Sequence, residues 1–140
     1  MSDHLALVKS WYVHFDNRDL DYIVDSFAEN AIVTVGDGDS EGAVPYGGRF
    51  VGKKQLQHYY ASRFMKAGVN PFGTIRPFCG IAAAGVFQQF GQWVIVGAEI
   101  TDTHSDHTLI YRGKFLHVWS INPDDHKIAS LSMYFDTGGS

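Results

Sequence analysis

Residues 115–136, FLHVWSINPDDHKIASLSMYFD, hold two runs rich in aromatic and β-branched side chains, separated by the turn-forming cluster NPDDH. A period of two puts Phe115, His117 and Trp119 on one face of the first run. In the second run it puts Tyr134 and Asp136 on one face, with Met133 and Phe135 on the other. Two strands joined by so short a connector read as a hairpin. The same pattern extends upstream, with strands expected at Thr74–Phe90, Gln92–Thr103, Thr108–Ile121 and Lys127–Asp136, separated by FGQ, HSD and NPDDH. Glycines inside PFCGIAAAG suggest a bulge in the first of them.

The first half of the chain has a different rhythm. Leu5, Val8, Trp11, Tyr12 and Phe15 recur at helical spacing, and this first helix is expected to stop near Asp16-Asn17. Asp19 is placed to cap a second, short helix whose buried face is Leu20, Ile23, Val24 and Phe27, closed by AENA. The β-branched AIVTV then reads as a strand, and GDGDSEGAVPYGGRF as a loop. A third helix is expected after Gly52, with Leu56, Tyr59, Tyr60, Arg63 and Phe64 on one face and its flank. Helices first and hairpin-linked strands afterwards make an α+β fold, with helices on one face of an antiparallel sheet. Because WVIVGAEI is apolar on both faces, the other side of the sheet is expected to meet a second subunit, giving a homodimer.

At 140 residues with 45% hydrophobic content, the whole chain, 1–140, reads as one domain. Eleven basic residues are interspersed with fifteen acidic ones for a net charge of −4, with no basic stripe to follow a phosphate backbone, so nucleic acid is not an expected partner. No run of 18 apolar residues occurs, and Asp3, His4 and Lys9 interrupt what a leader would need to keep apolar. Neither membrane insertion nor secretion is expected. A single cysteine, Cys79, fits a reducing compartment and a cytoplasmic location, and reads first as a buried small hydrophobe.

Several stretches imitate known sites. Asp37, Asp39, Glu41 and Gly42 open like a calcium loop, but the twelfth position is Gly48 and the stretch follows a strand, so a solvated turn fits better. His104, Asp106 and His107 fall at an expected hairpin tip without further ligands. Lys53 and Lys54 open the third helix, where an anion would be welcome, although a solvated helix end explains them as well. More informative is the set Tyr46, Arg49, Tyr59, Tyr60, His117, Trp119, Tyr134 and Asp136, which suits a pocket for a small, mostly apolar ligand. His117 reads either as a hydrogen-bonded core residue or as a pocket group. Asp136 either marks where the last strand leaves for water or enters the pocket as a carboxylate.

On three stretches, DNRDLDYIVDSFAENAIV, VPYGGRFVGKKQLQHYY and FLHVWSINPDDHKIASLSMYFD, the chain resembles the nuclear-transport-factor-2-like (NTF2-like) superfamily. Within it, the SnoaL-like and ketosteroid-isomerase-related proteins are the nearest in pattern. The resemblance implies a cone-shaped fold with three N-terminal helices packed on a curved, mostly antiparallel sheet, a pocket at one end, and a dimer across the sheet. Members include isomerases, polyketide cyclases, epoxide hydrolases, dehydratases and proteins without catalytic activity, so fold alone does not fix function. The isomerases' oxyanion-donating tyrosine falls on Trp11, their catalytic aspartate on Val35 with Asp37 two residues on, and their second acid near Leu116; Tyr60 matches a supporting tyrosine. Asp136 matches the terminal-strand aspartate that serves the SnoaL-like cyclases as acid/base.

The resemblance therefore implies a proton-transfer enzyme acting on a small hydrophobic compound, with Asp136 as acid/base, His117 assisting, and Asp37 as the alternative base. Trp11, Phe15, Tyr46, Tyr60, Phe115, Trp119 and Tyr134 would line its pocket, with neither metal nor organic cofactor. A non-catalytic binding or dimerisation module of the same fold is the competing expectation.

Overall fold

The computed structural model describes residues 4–35, 48–66, 81, 85–103 and 109–136. In chain order the elements are α1 (His4–Asp16), α2 (Leu20–Asp25), β1 (Phe27–Val35), β2 (Gly48–Val51), α3 (Gly52–Lys66), β3 (Val86–Phe90), β4 (Trp93–Thr103), β5 (Leu109–Ile121) and β6 (Ile128–Asp136). The six strands form one sheet in the order β2-β1-β6-β5-β4-β3. The architecture is α+β, as the pattern of the sequence implies.

The two N-terminal helices meet at a sharp corner. Arg18 takes φ +55° between them, and Asp19 accepts from the backbone N–H of Tyr22 at 3.3 Å, which confirms it as the cap of α2. Its second carboxylate oxygen lies 3.0 Å from His14 Nδ1 at the end of α1. On α1 the residues Val8, Trp11 and Tyr12 are buried, as the helical spacing predicts.

The expected end of α2 is corrected. Phe27 belongs to the head of β1 rather than to the buried face of the helix, and AEN lies within the strand. The cause is tertiary pairing: the Ile128 N–H donates to the Ser26 carbonyl at 2.9 Å and Phe27 pairs with Ile128, so β6 captures the chain as soon as α2 ends. A register irregularity between Phe27 and Ile32 absorbs the change of direction. Phe27 is fully buried nonetheless, with its ring parallel to that of Tyr60.

Two further expectations change. The sheet is mixed, because β1 runs parallel to β6 while the other neighbours are antiparallel. Of the three N-terminal helices that the resemblance implies, two precede the first strand among the described residues, and α3 follows β1 and β2, after the AIVTV strand as the residue pattern places it. Of the long first strand expected at 74–90, Val86–Phe90 is a strand, Gly85 just before it is in neither helix nor strand, and Ile81 is helical and buried; positions 74–80 and 82–84 lie outside the described residues. The β5–β6 hairpin stands as read, with Phe115 opposite Phe135, His117 opposite Met133 and Trp119 opposite Leu131.

Alternation then sorts the sheet into two faces. Val33, Val35, Val94, Val96, His117, Trp119, Leu131 and Met133 are buried, and the core they form with Trp11, Tyr12, Leu56 and Tyr60 lies between sheet and helices. The opposite face leaves Trp93 44%, Leu116 42% and Tyr134 55% exposed. Among the described residues, no helix is long and apolar enough to cross a membrane.

Candidate functional site

A chain of three polar tips runs through this core. Trp119 Nε1–H donates to the Tyr12 hydroxyl at 3.1 Å, and that hydroxyl lies 2.5 Å from His117 Nδ1. Strand alternation brings His117 and Trp119 to the same face of β5, two residues apart, while α1 lowers Tyr12 onto both. The Tyr12 and His117 rings are nearly parallel, with centroids 5.8 Å apart.

The proton count follows from the donors. Because the Tyr12 oxygen already accepts from Trp119, its own O–H is best used toward Nδ1 of His117. A neutral imidazole accepting at Nδ1 carries its proton on Nε2. Burial pushes the His117 pKa well below 6.5, so the ring is neutral at physiological pH. The Nδ1 side of the neutral ring is thus held by two hydrogen bonds in series, which stiffen the ring and polarise one another.

Rings surround this chain. Trp11 stacks on Phe15 at 5.2 Å, meets Trp119 edge-on at 4.8 Å and Tyr60 at 5.8 Å, and Phe15 and Tyr60 both meet Phe64. These residues bring α1, α3 and β5 to one aromatic cluster. Its Trp11 indole N–H is buried, the residue being only 3% exposed, and has no hydrogen-bond partner among the described residues. An orphaned buried donor costs about 1–3 kcal/mol. Burial also falls off along the strands: Trp119 and Leu131 are fully buried, whereas His117 is 6% and Met133 8% exposed. His117 is buried all the same, its Nε2 atom included.

Of the residues expected at the site, the structure brings together Trp11, Phe15, Tyr60, His117 and Trp119. It does not bring Tyr134 there; that residue pairs with Leu116 on the exposed face of the sheet. In the backbone register Asp136 stands opposite Lys114, in phase with the Leu116–Tyr134 pair and out of phase with His117–Met133; its side chain is not among those the structure describes. Phe115 is in phase with His117 in that register. Tyr46 and Asp37 lie outside the described residues, as do His104, Asp106 and His107. Among the described residues no cluster of three or more metal-ligating side chains occurs. Lys53 lies 4.0 Å from Asp25 and 3.8 Å from Glu29, so the acidic neighbours it has are its own chain's. A surface cleft of about 560 Å³ between α2 and α3, lined by Leu20, Tyr22, Asp25, Lys53 and Gln57 among others, shares no residue with the aromatic cluster.

Tyr12 is the residue that the sequence reading missed. Helical spacing identified it as part of a buried face but gave no sign that its hydroxyl would join two strand residues more than a hundred positions away.

No family model and no curated protein matches the sequence. Solved structures do match. An NTF2-like protein of unknown function from Burkholderia pseudomallei superposes with a TM-score of 0.69 at 20% identity, covering 99% of this chain and 95% of the other. TerC, co-crystallized with polyporic acid, gives 0.70 at 20% identity over 99% and 95%. SalBIII, an epoxide hydrolase/cyclase-like enzyme in pyran ring formation in the polyether salinomycin, gives 0.64 at 17% identity over 96% and 92%. The fold of this chain is the NTF2-like fold.

Two outcomes test the polar chain. Tyr12→Phe leaves both Trp119 Nε1 and His117 Nδ1 without the shared hydroxyl, and should lower unfolding free energy by about 2–4 kcal/mol, read as a lower denaturant midpoint. For pH, the folded state holds His117 neutral while the unfolded chain protonates it near 6.5, so the unfolded state binds the extra proton. Stability should be at its full value above about pH 6.5 and fall below it, by at most about 1.4 kcal/mol per pH unit, until the lowered native pKa is reached. Melting curves of wild type and His117→Gln should diverge over that window, with the variant less sensitive to pH.

Proposed function

We propose that the protein is a small-molecule enzyme of proton-transfer type that acts on a small, mostly apolar carbonyl compound held between the helices and the sheet. The observation that carries this reading is the Trp119–Tyr12–His117 chain, which holds a neutral imidazole inside an aromatic interior. A carboxylate takes a proton from the carbon next to the carbonyl. The electron pair moves onto the carbonyl oxygen, and the enolate oxygen accepts a hydrogen bond from His117 Nε2–H. The carboxylic acid then returns its proton to carbon. A preorganised donor in a low-dielectric interior stabilises that oxyanion far better than water-exposed donors do.

For the base, the two carboxylates are Asp136, at the end of β6, and Asp37, which follows the core-facing Val35 by two residues in the chain. That solved structures of similar fold include an epoxide hydrolase/cyclase-like enzyme supports an enzymatic reading. A second reading, a non-catalytic ligand carrier, is favoured by the low basicity of His117 itself.

Exchange of the α-hydrogens of 1-tetralone in D2O, followed by NMR, tests the step. Wild type should accelerate exchange, His117→Leu should lose about 10²–10³ of that acceleration, and one of Asp136→Asn and Asp37→Asn should lose about 10²–10⁴. Binding of 1-tetralone without any exchange would replace the enzyme reading with the carrier.

We further propose a homodimer through the open face of the sheet. Trp93, Leu116 and Tyr134, each more than two-fifths exposed, lie on it, and large apolar side chains left open on one sheet face suit a contact with a second copy. Sedimentation should give twice the 15.6 kDa chain mass, and Leu116→Glu should return it to the monomer with the fold intact.

A further inference from the structure

We infer that the cleft between α2 and α3 is a ligand site in its own right, and that it takes a small zwitterion with an apolar body, of which an apolar α-amino acid is the simplest. The cleft shares no lining residue with the aromatic interior, so the inference stands whether or not that interior does chemistry.

At about 560 Å³ the cleft falls within the range of small-molecule sites. Leu20 and Val24 give it an apolar wall beside Tyr22. The Tyr22 ring is fixed in place: it lies flat on His14 at 3.6 Å, and its hydroxyl is 3.2 Å from Ser10 Oγ. Asp19 in turn holds both the His14 ring and the Tyr22 backbone. A wall set before binding spares the ligand the cost of ordering it.

Charge narrows the occupant. Asp21 and Asp25 stand one turn apart on α2, and Lys53 and Gln57 one turn apart on α3, so each helix turns two polar groups to the cleft. The Lys53 side chain is 27% exposed, against 79% for Asp25 and 84% for Glu29, so it lies largely within the cleft while those carboxylates reach into water. Its contacts to them, 4.0 and 3.8 Å, are both longer than a hydrogen bond. Asp25 is shared besides with Lys127, whose Nζ is 3.7 Å from Oδ2 and donates to the Asp25 carbonyl at 2.9 Å. Lys53 therefore keeps donors for an acceptor from outside. Asp21, of opposite charge, makes no ion pair among the described residues. A bare anion would meet Asp21, Asp25 and Glu29, and a bare cation would meet Lys53; a ligand that carries both charges satisfies both walls.

The test uses three probes with one phenyl body: L-phenylalanine carries both charges, phenethylamine the ammonium alone, and 3-phenylpropionate the carboxylate alone. Each is titrated into the isotope-labelled protein, and the amide NMR shifts of residues 20–25 and 53–57 report the site. Phenylalanine should move those amides and bind about three- to tenfold more tightly than either single-charge probe. Lys53→Met should bring its affinity down to that of phenethylamine, and Asp21→Asn down to that of 3-phenylpropionate. Both variants should melt as wild type does, since exposed charges of this kind contribute little stability. Shifts from phenylalanine that are absent, or confined to other residues, overturn the site. A single-charge probe that binds as tightly as phenylalanine, or a preference for phenylalanine that survives both substitutions, overturns the zwitterion as its occupant.

Discussion

The Tyr12 hydroxyl is the contact on which the rest of the arrangement depends. It is the acceptor for Trp119 and lies against His117 Nδ1, and so ties α1 to the middle of β5 across more than a hundred residues of sequence. Buried polar groups are costly unless paired, and here one oxygen pairs two of them. Apolar packing alone would let α1 slide or rotate over the sheet at small expense. A hydroxyl between an indole N–H and an imidazole nitrogen admits few positions, so it also fixes which ring of α1 faces which strand. The aromatic cluster around Trp11 is arranged about that fixed point.

The sheet supplies the other half of the constraint. β6 lies between β1 and β5, parallel to one and antiparallel to the other, and so the last segment of the chain closes the structure around the first strand. That central place explains why Leu131 and Met133 stand in the same rows as Val33, Trp119, Val35 and His117. It also explains why Phe27 is strand and not helix: with Ile128 waiting opposite, the backbone groups after Ser26 have partners in the sheet that a longer helix could not match.

Much of the fold was legible because it rests on periodicity. Helical spacing found α1 and the buried face of α3, Asp19 declared itself as a cap, and alternation placed Phe115, His117 and Trp119 in phase before any partner was known. What periodicity does not carry is the direction of pairing and the meeting of polar tips. The parallel β1–β6 pair leaves no mark in either strand alone, and so the expected sheet was too simply antiparallel. Tyr12 reads from the sequence as one more aromatic of a core stripe; its hydroxyl acquires a role only when two strand residues arrive above it. Tyr134 and Asp136 could be placed on one strand face, yet which face the helices cover is decided by the pairing of the whole sheet.

The turn between β5 and β6 bears on the site from a distance. It is built from its own hydrogen bonds: Asn122 N–H to the Lys127 carbonyl at 2.8 Å, His126 N–H to the Asn122 carbonyl at 2.9 Å, and the Asn122 and Asp125 side chains accepting from Asp124 and Lys127 N–H. His126 completes it with φ +58°. This turn sets the offset of β6 against β5, while β4 independently holds β5 in phase by pairing Val96 with His117 and Val94 with Trp119. Loss or gain of one residue there would slide β6 past a strand already fixed by its other neighbour, moving Met133 and not the imidazole out of its row. The imidazole's place against Tyr12 is in this sense secured by two neighbouring strands, of which the surface turn governs only one.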